Sequence, residues 1–233
     1  EYCGVYPHSE QQGKDRQYHK SKMDQCNAHG IQLITMFEDE WFTRTEQVKR
    51  KLASLLNASS ENAVFARKCQ IVNVSTGDRV KFLDANHIQG DGSGSITHGL
   101  MHSGQLVAVM VWKRTSDRVW LLNRYATACK VPGGFSRLLE YFKQAVEWDQ
   151  LVSFADLRWS DGSLYTNTGW THSSTIPPDY SYSPDGIERY HKFNYRRKNL
   201  PNLLEYFDPN LSEWENCKAN EVLRLWDCGK MRF

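Results

Sequence analysis

The stretch Val131–Trp170 reads VPGGFSRLLEYFKQAVEWDQLVSFADLRWSDGSLYTNTGW, and its reading decides the fold. A glycine turn opens an amphipathic helix on which Phe135, Leu138, Leu139, Phe142 and Val146 share one face. Leu151 to Ala155 follows as a short apolar strand, and Asp156 is its first polar residue. Glycines ahead of a helix leave amide N–H groups at its N-terminus, where the helix dipole favours an anion. A carboxylate just past a strand's C-terminal end stands where open α/β sheets place their ligands. The segment therefore predicts a crevice shared by the Gly133 and Gly134 amides and the Asp156 carboxylate. The competing reading is a plain β–α–β packing unit whose glycines only permit a turn.

Upstream, helix, strand and helix follow one another. A helix is predicted over 17–28, with Tyr18, Met23 and Cys26 inward and Gly30 as its stop. Ile31 to Phe37 alternates as a strand and runs into Glu38, Asp39, Glu40 and Trp41. Thr43 and Glu46 have the spacing of a capping box before a helix with Val48, Leu52, Leu55 and Leu56 on one face. The polar stretch NASSEN at 57–62 is the expected domain boundary, dividing residues 1–57 from 63–233. Beyond it come a strand at 69–74, a helix at 79–88 with Val80 and Leu83 inward, and a flexible glycine loop at 89–95. A hairpin turns at Ser103-Gly104, and strands are predicted at 120–125 and 222–226. The class is α/β in the broad sense (α+β), with a mixed sheet in the second part.

The totals exclude some functions. A net charge of +2 is too mild to argue for nucleic acid by itself. No apolar run is long enough to cross a bilayer, so no membrane partner is expected. The six cysteines include no Cys-x-x-Cys pair, so a structural zinc site is not expected and reduced thiols are. The chain begins at Glu1 rather than Met, and the expectation is a processed or partial chain with no signal peptide in this stretch.

Several residue types suit chemistry. His87 sits at a helix end beside the glycine loop, Arg124 in a strand, and Asp156 and Tyr165 flank the loop after the central strand. A neutral His or a carboxylate serves as a general base, a Tyr hydroxyl as a proton donor, and an Arg steers an anion or holds a carboxylate. Each has a plainer use: His87 as a helix cap, Arg124 with Asp156 as a structural pair, Tyr165 as core. Near the start, carboxylates with His8 and His19 suit a divalent-metal nuclease, although Glu38, Asp39 and Glu40 equally suit a helix start. At 188–198, ERYHKFNYRRK offers Arg196, Arg197 and Lys198 to phosphates and Tyr190 or Tyr195 to bases, or else a solvated charged face.

The order helix, hairpin, strand, VPGGFSRLL helix, strand, LYTNTGW resembles the GNAT acyltransferase superfamily. Residues 64–170 look most like its Mom group of phage DNA-modification proteins. The resemblance implies an acyl-CoA or related donor held by Gly133, Gly134, Ser136 and Arg137, and active-site roles for His87, Arg124, Asp156 and Tyr165. The turn departs from the family's Q/R-x-x-G-x-G/A pattern.

The series EYCGVYPHSE, YHKSKMDQCNAHGIQLITMFEDEW resembles the distal half of Vsr-like, PD-(D/E)xK-related nucleases of the phage homing-endonuclease type. It implies Glu1 as active-site carboxylate and Mg²⁺ ligand, His8 as the motif histidine, and Tyr18-His19 with Lys22 on the next helix. Pro7 stands where that pattern has Trp, and an Asp-bearing strand would precede Glu1. Phage proteins of this type also carry words like NHIQG (86–90) and LWDCG (225–229). Together the resemblances imply a DNA-directed endonuclease or its remnant, alternatively an acyl-type transferase or a non-catalytic DNA-binding module. The expected setting is the cytoplasm of a phage-infected bacterium.

Overall fold

The structure is a computed structural model that describes residues 1–58 and 62–233. The expected boundary at 57–62 lies partly outside the described residues. In chain order the elements are β1 (Tyr2–Cys3), α1 (Tyr18–Ala28), β2 (Met36–Phe37), α2 (Glu38–Thr43), α3 (Thr45–Leu55), β3 (Gln70–Asn73), α4 (Thr76–Asn86), β4 (Ile96–His102), β5 (Gln105–Ser116), β6 (Val119–Thr127), α5 (Gly134–Ala145), β7 (Gln150–Asp156), α6 (Ser163–Thr166), β8 (Ser174–Ile176), β9 (Tyr180–Ser183), β10 (Tyr190–His191), α7 (Glu213–Ala219), β11 (Leu223–Trp226) and β12 (Lys230–Arg232). The fold is mixed α/β with a mixed sheet, as the sequence predicts.

Two compact units divide these elements. One gathers Glu1–Thr43, Ala155–Leu164 and His172–Met231; the other gathers Arg44–Phe154, Tyr165–Thr171 and Arg232–Phe233. They differ from the expected 1–57 and 63–233, because residues 155–164 and 172–231 group with the N-terminal segment.

The unit built on Arg44–Phe154 holds strands in the order β3-β4-β5-β6-β7. Ser103 (φ 49°) and Gly104 (φ 78°) are both left-handed, the geometry a two-residue hairpin requires, and they join β4 to β5. β5 pairs antiparallel with β6, whereas β6 pairs parallel with β7, from Val119 opposite Gln150 to Leu122 opposite Ser153. A parallel pair needs a crossover, and α5 supplies it. Its predicted face is buried: Phe135, Leu138, Leu139 and Phe142 pack with Leu100, Met110, Trp112 and Trp120. The Phe142 ring stacks on Trp112 at 4.0 Å. Burying four such side chains contributes on the order of 6–12 kcal/mol before the entropy cost of ordering them. On α4, Phe82 and Leu83 pack with Val109, Val111 and Ala126.

The unit built on Glu1–Thr43 is less regular. β1 pairs parallel with β2, Tyr2 opposite Met36 and Cys3 opposite Phe37. The seven-residue strand expected at 31–37 is thereby shortened to its last two residues, because β1 offers only two partners and Ile31 is exposed. Cys3, Val5, Phe37, Leu223 and Leu225 form one small core. Tyr182, Tyr195, Leu200, Cys217 and Val222 form another. The buried face of α1 is His19 and Met23, while Tyr18 and Cys26 are only partly covered. The expected Thr43–Glu46 capping box is absent: Thr43 is helical, and its hydroxyl donates to the Asp39 carbonyl at 2.7 Å. A capping box does exist at Ser212 and Glu215, ahead of α7.

Candidate functional site

The glycine turn does open a helix, though not with the amides expected. Gly133 takes the left-handed conformation (φ 75°), which only glycine adopts without strain. The Gly134 N–H is spent on the Val131 carbonyl at 3.0 Å. The first donors of α5 without an intrahelical acceptor are therefore those of Phe135 and Ser136. An open groove of ≈ 680 Å³ lies at this end of the helix, lined by Phe65, Ala66, Arg67, Pro132, Gly133, Ser136, Arg137 and Glu140. Arg137 donates to the Ala66 carbonyl, which ties the groove's two walls together. Arg67 is exposed beside it, and Glu140 is paired with Lys143 at 2.9 Å. Of the four expected donor-binding residues, Gly133, Ser136 and Arg137 line this groove; Gly134 lies inside the turn, where a Cβ would come within 2.8 Å of the Tyr125 hydroxyl. Phe65 and Arg67 carried no sequence signal, because they reach the groove only through the fold.

Past Leu122 and Ser153 the parallel register of β6 and β7 ends, while β6 runs on to Thr127. Tyr165 stands at this fork. The buried Ser153 hydroxyl lies 3.1 Å from the Leu122 carbonyl and 2.9 Å from the Tyr165 phenol. Ser153 has one proton; given to the carbonyl, it leaves the oxygen to accept from Tyr165. Burial raises the Tyr165 pKa and keeps the phenol protonated. Its ring packs on Phe233 at 4.7 Å and on Trp170 at 5.6 Å. Tyr165 thus joins the core, as its plainer reading predicts, and also presents a protonated hydroxyl at the fork.

His87 and Arg124 order the glycine loop. His87 Nδ1 accepts from the Gln89 N–H at 3.0 Å, which places the ring proton on Nε2. Burial, with Arg124, Lys51 and Arg44 nearby, holds its pKa down to about 3, so the ring is neutral. Arg124 Nε donates to the Gly90 carbonyl at 3.2 Å. Arg79 and Asp91 close the loop with two bonds of 2.9 and 3.1 Å. The loop expected to be flexible is held by one ion pair, Arg79–Asp91, and by hydrogen bonds from Arg124 to Gly90 and from Asn123 to Ser93, none of which a local pattern announces.

Asp156 belongs to the other compact unit, and its carboxylate is occupied. Oδ1 accepts the Arg158 N–H at 3.0 Å and Oδ2 accepts the Arg158 guanidinium at 2.9 Å. Arg158 also donates to both Glu40 oxygens at 2.8 and 3.0 Å, and Arg189 reaches Asp39 at 2.8 Å and Glu40 at 3.3 Å. These five side chains are nearly buried and form one ionic cluster. An acceptor held this way is a poor general base, and its partner is Arg158 rather than Arg124.

In the same unit, Glu1, Cys3, His8 and His19 converge. One potential ligand atom from each lies within 4.8 Å of those of the others. His19 is 1% exposed, and its ring stacks on His8 with centroids 5.3 Å apart. Lys22 Nζ donates to Glu1 Oε1. Burial pushes the Glu1 pKa up, but Lys22 outweighs it and leaves the carboxyl below its usual range. Burial lowers the pKa of His8 and brings that of His19 to about 4. The resemblance pointed to Glu1, His8, His19 and Lys22; Cys3 was missed, though it is the residue two places along the strand from Glu1 and so shares its face.

Of the basic run, Arg196 lies over the Phe193 ring at 3.9 Å, Arg197 donates to the Pro209 carbonyl, and Lys198 is exposed. Tyr195 is buried and offers no face to a base, whereas Tyr190 is partly exposed.

No protein-family model and no curated protein matches the chain. Solved structures give partial overlaps. The chain is similar to the ribosomal-protein-S18-alanine N-acetyltransferase from Escherichia coli, at 14% identity and a TM-score of 0.38, over 46% of this chain and 81% of that one. It is similar to an IAA acetyltransferase from Bacillus cereus ATCC 14579, at 14% identity and 0.38, over 70% and 96%. A GNAT family acetyltransferase from Elizabethkingia anophelis with acetyl-CoA bound gives 12% identity and 0.39, over 71% and 95%. Overlaps of this size carry no residue roles across. No helix among the described residues is long and apolar enough to cross a membrane.

Proposed function

We propose that the unit built on Arg44–Phe154 is a GNAT-type transferase domain that takes an acyl-CoA or related donor and passes its acyl group to an amine. The observation that carries this is the pairing of a helix-opening glycine turn with a forked parallel strand pair. The donor's phosphates sit at the Phe135 and Ser136 amides, with Arg67 and Arg137 supplying positive charge. The donor's amide-bearing arm hydrogen-bonds along the β6 edge that β7 leaves beyond Leu122. As the amine attacks the thioester carbonyl, the Tyr165 phenol, protonated at neutral pH, turns its proton from Ser153 to the departing thiolate, and the proton the amine sheds restores the phenol. A DNA base is the acceptor this reading favours, as the Mom-group resemblance of residues 64–170 implies. Calorimetric titration with CoA and acetyl-CoA tests it. Binding should weaken at least tenfold in Ser136→Asp, which puts a negative charge where the phosphates sit. No binding by the unaltered chain, or an unchanged affinity in the variant, would remove this reading.

A second reading rests on the other unit, where Glu1, His8 and His19 converge and Lys22 reaches Glu1. It is metal-assisted phosphodiester hydrolysis, with Mg²⁺ at Glu1. Supercoiled DNA incubated with Mg²⁺ should be nicked by the chain and spared by Glu1→Gln; equal results with both, nicking or none, would dismiss it.

A further inference from the structure

Glu1 directly precedes β1 and its carbonyl accepts the Met36 N–H at 2.9 Å, so in extended chain Glu1 and Cys3 share one face. α1 presents His19 toward the buried side, and Lys22, three residues on, falls on the same face. His8, in the turn between, stacks on His19. The result is a concentration of unmet polarity: Glu1 Oε2, His8 Nδ1 and both ring nitrogens of His19 are buried with no hydrogen-bond partner. His19 Nδ1 lies 3.7 Å from Glu1 Oε2, too far for a hydrogen bond. A buried polar atom left without a partner costs about 1–3 kcal/mol. Four in one place call for a ligand that accepts lone pairs.

We propose that Glu1, Cys3, His8 and His19 bind a single divalent ion of the zinc class. Two imidazole nitrogens, one carboxylate oxygen and one thiolate sulfur suit Zn²⁺, Co²⁺ or Ni²⁺, whereas Mg²⁺ and Ca²⁺ take shells of oxygen. Ligand bonds of about 2.0–2.3 Å imply a tetrahedron with edges near 3.3–3.8 Å, so donors within 4.8 Å need to close by about an ångström. Lys22 occupies Glu1 Oε1 and leaves Oε2 for the metal, the kind of outer hydrogen bond that orients a ligating carboxylate. On binding, the Cys3 thiol gives its proton to solvent; thiolate and carboxylate then balance the ion's two charges. The absence of a Cys-x-x-Cys pair does not bear on such a site, because its ligands come from a strand, a turn and a helix. The site shares Glu1, His8 and His19 with the hydrolase reading and puts a zinc-class ion where that reading has Mg²⁺; it concerns the ion rather than the reaction and is independent of the transferase reading.

The test uses the whole chain, stripped with chelator and dialysed against ZnCl₂ in millimolar Mg²⁺. One zinc per chain is expected, and Co²⁺ in its place should give visible ligand-field bands with a thiolate charge-transfer band. Cys3→Ser should abolish the charge-transfer band, and His8→Gln should weaken zinc binding at least tenfold, both with unchanged circular dichroism. His8 is only partly buried, which makes it the variant to rely on if Cys3→Ser misfolds. Less than half a zinc per chain, displacement by millimolar Mg²⁺, or equal affinity in His8→Gln would overturn the proposal. DNA cleavage is not read in this experiment, so its failure is separable from that of the hydrolase reading.

Discussion

Replacing Asp156 separates an ionic anchor from a catalytic base. The Arg158 side chain is 7% exposed, and Asp156 and Glu40 beside it are 15% and 13% exposed. Three carboxylates (Asp39, Glu40, Asp156) face two guanidinium groups (Arg158, Arg189) in this cluster. Asp156→Asn removes one charge-assisted bond and turns an amide toward a guanidinium, yet leaves both arginines neutralised. Its expected cost is about 1.5–3 kcal/mol, the range for a hydrogen bond to a charged group. Arg158→Met leaves three carboxylates against Arg189 alone and should cost more, roughly 3–5 kcal/mol, as for a buried pair stripped of one partner. The double variant should cost less than the sum, with a coupling of at least about 1 kcal/mol. Urea unfolding followed by tryptophan emission reads all three; a loss of 2 kcal/mol moves the midpoint by roughly 1 M. If Asp156→Asn unfolds at the unaltered midpoint while transferase activity is lost, Asp156 is not an anchor and its catalytic reading returns.

Two further outcomes follow from the other unit. Folding holds the His87 pKa at about 3 against a usual 6.5, so the unfolded chain takes up a proton that the folded chain refuses. The stability this confers is complete above pH 6.5 and is lost as pH falls toward 3; between pH 7 and 5 the loss is about 2 kcal/mol. His87→Gln should flatten the pH dependence of the urea midpoint by that amount, and an unchanged slope would contradict the buried, neutral imidazole. At the glycine turn, Gly133→Ala should cost about 1–2 kcal/mol in thermal or urea unfolding through its left-handed backbone alone, since its Cβ would meet only Ala66 at an ordinary 3.7 Å. Gly134→Ala adds contacts at 2.8 Å to Tyr125 and 3.0 Å to Val131, and should cost more and weaken CoA binding. Equal stability of the two variants would refute that packing.

Sequence spacing decided what is local. The face of α5, the Ser103-Gly104 hairpin and the β7 strand are set by residues within a few positions of one another, where periodicity and turn chemistry act directly. The expected strand at 31–37 failed because a strand exists only as far as its partner does, and β1 pairs with two residues. Thr43 failed as a cap because α2 reaches it first.

The chemistry divides along the same line. The residues Glu1, His8, His19, Tyr165 and the glycine turn were legible as types able to hold an ion, a proton or a phosphate. Tertiary structure decided which of them meet. Asp156 was claimed by Arg158, Gly134 spent its amide within its own turn, and Cys3 joined two histidines across the first unit. Donor and acceptor capacity is a property of the residue, fixed once the chain is written. Whether that capacity is consumed depends on which distant groups burial forces together, and only the folded chain brings those distances down to hydrogen-bond length.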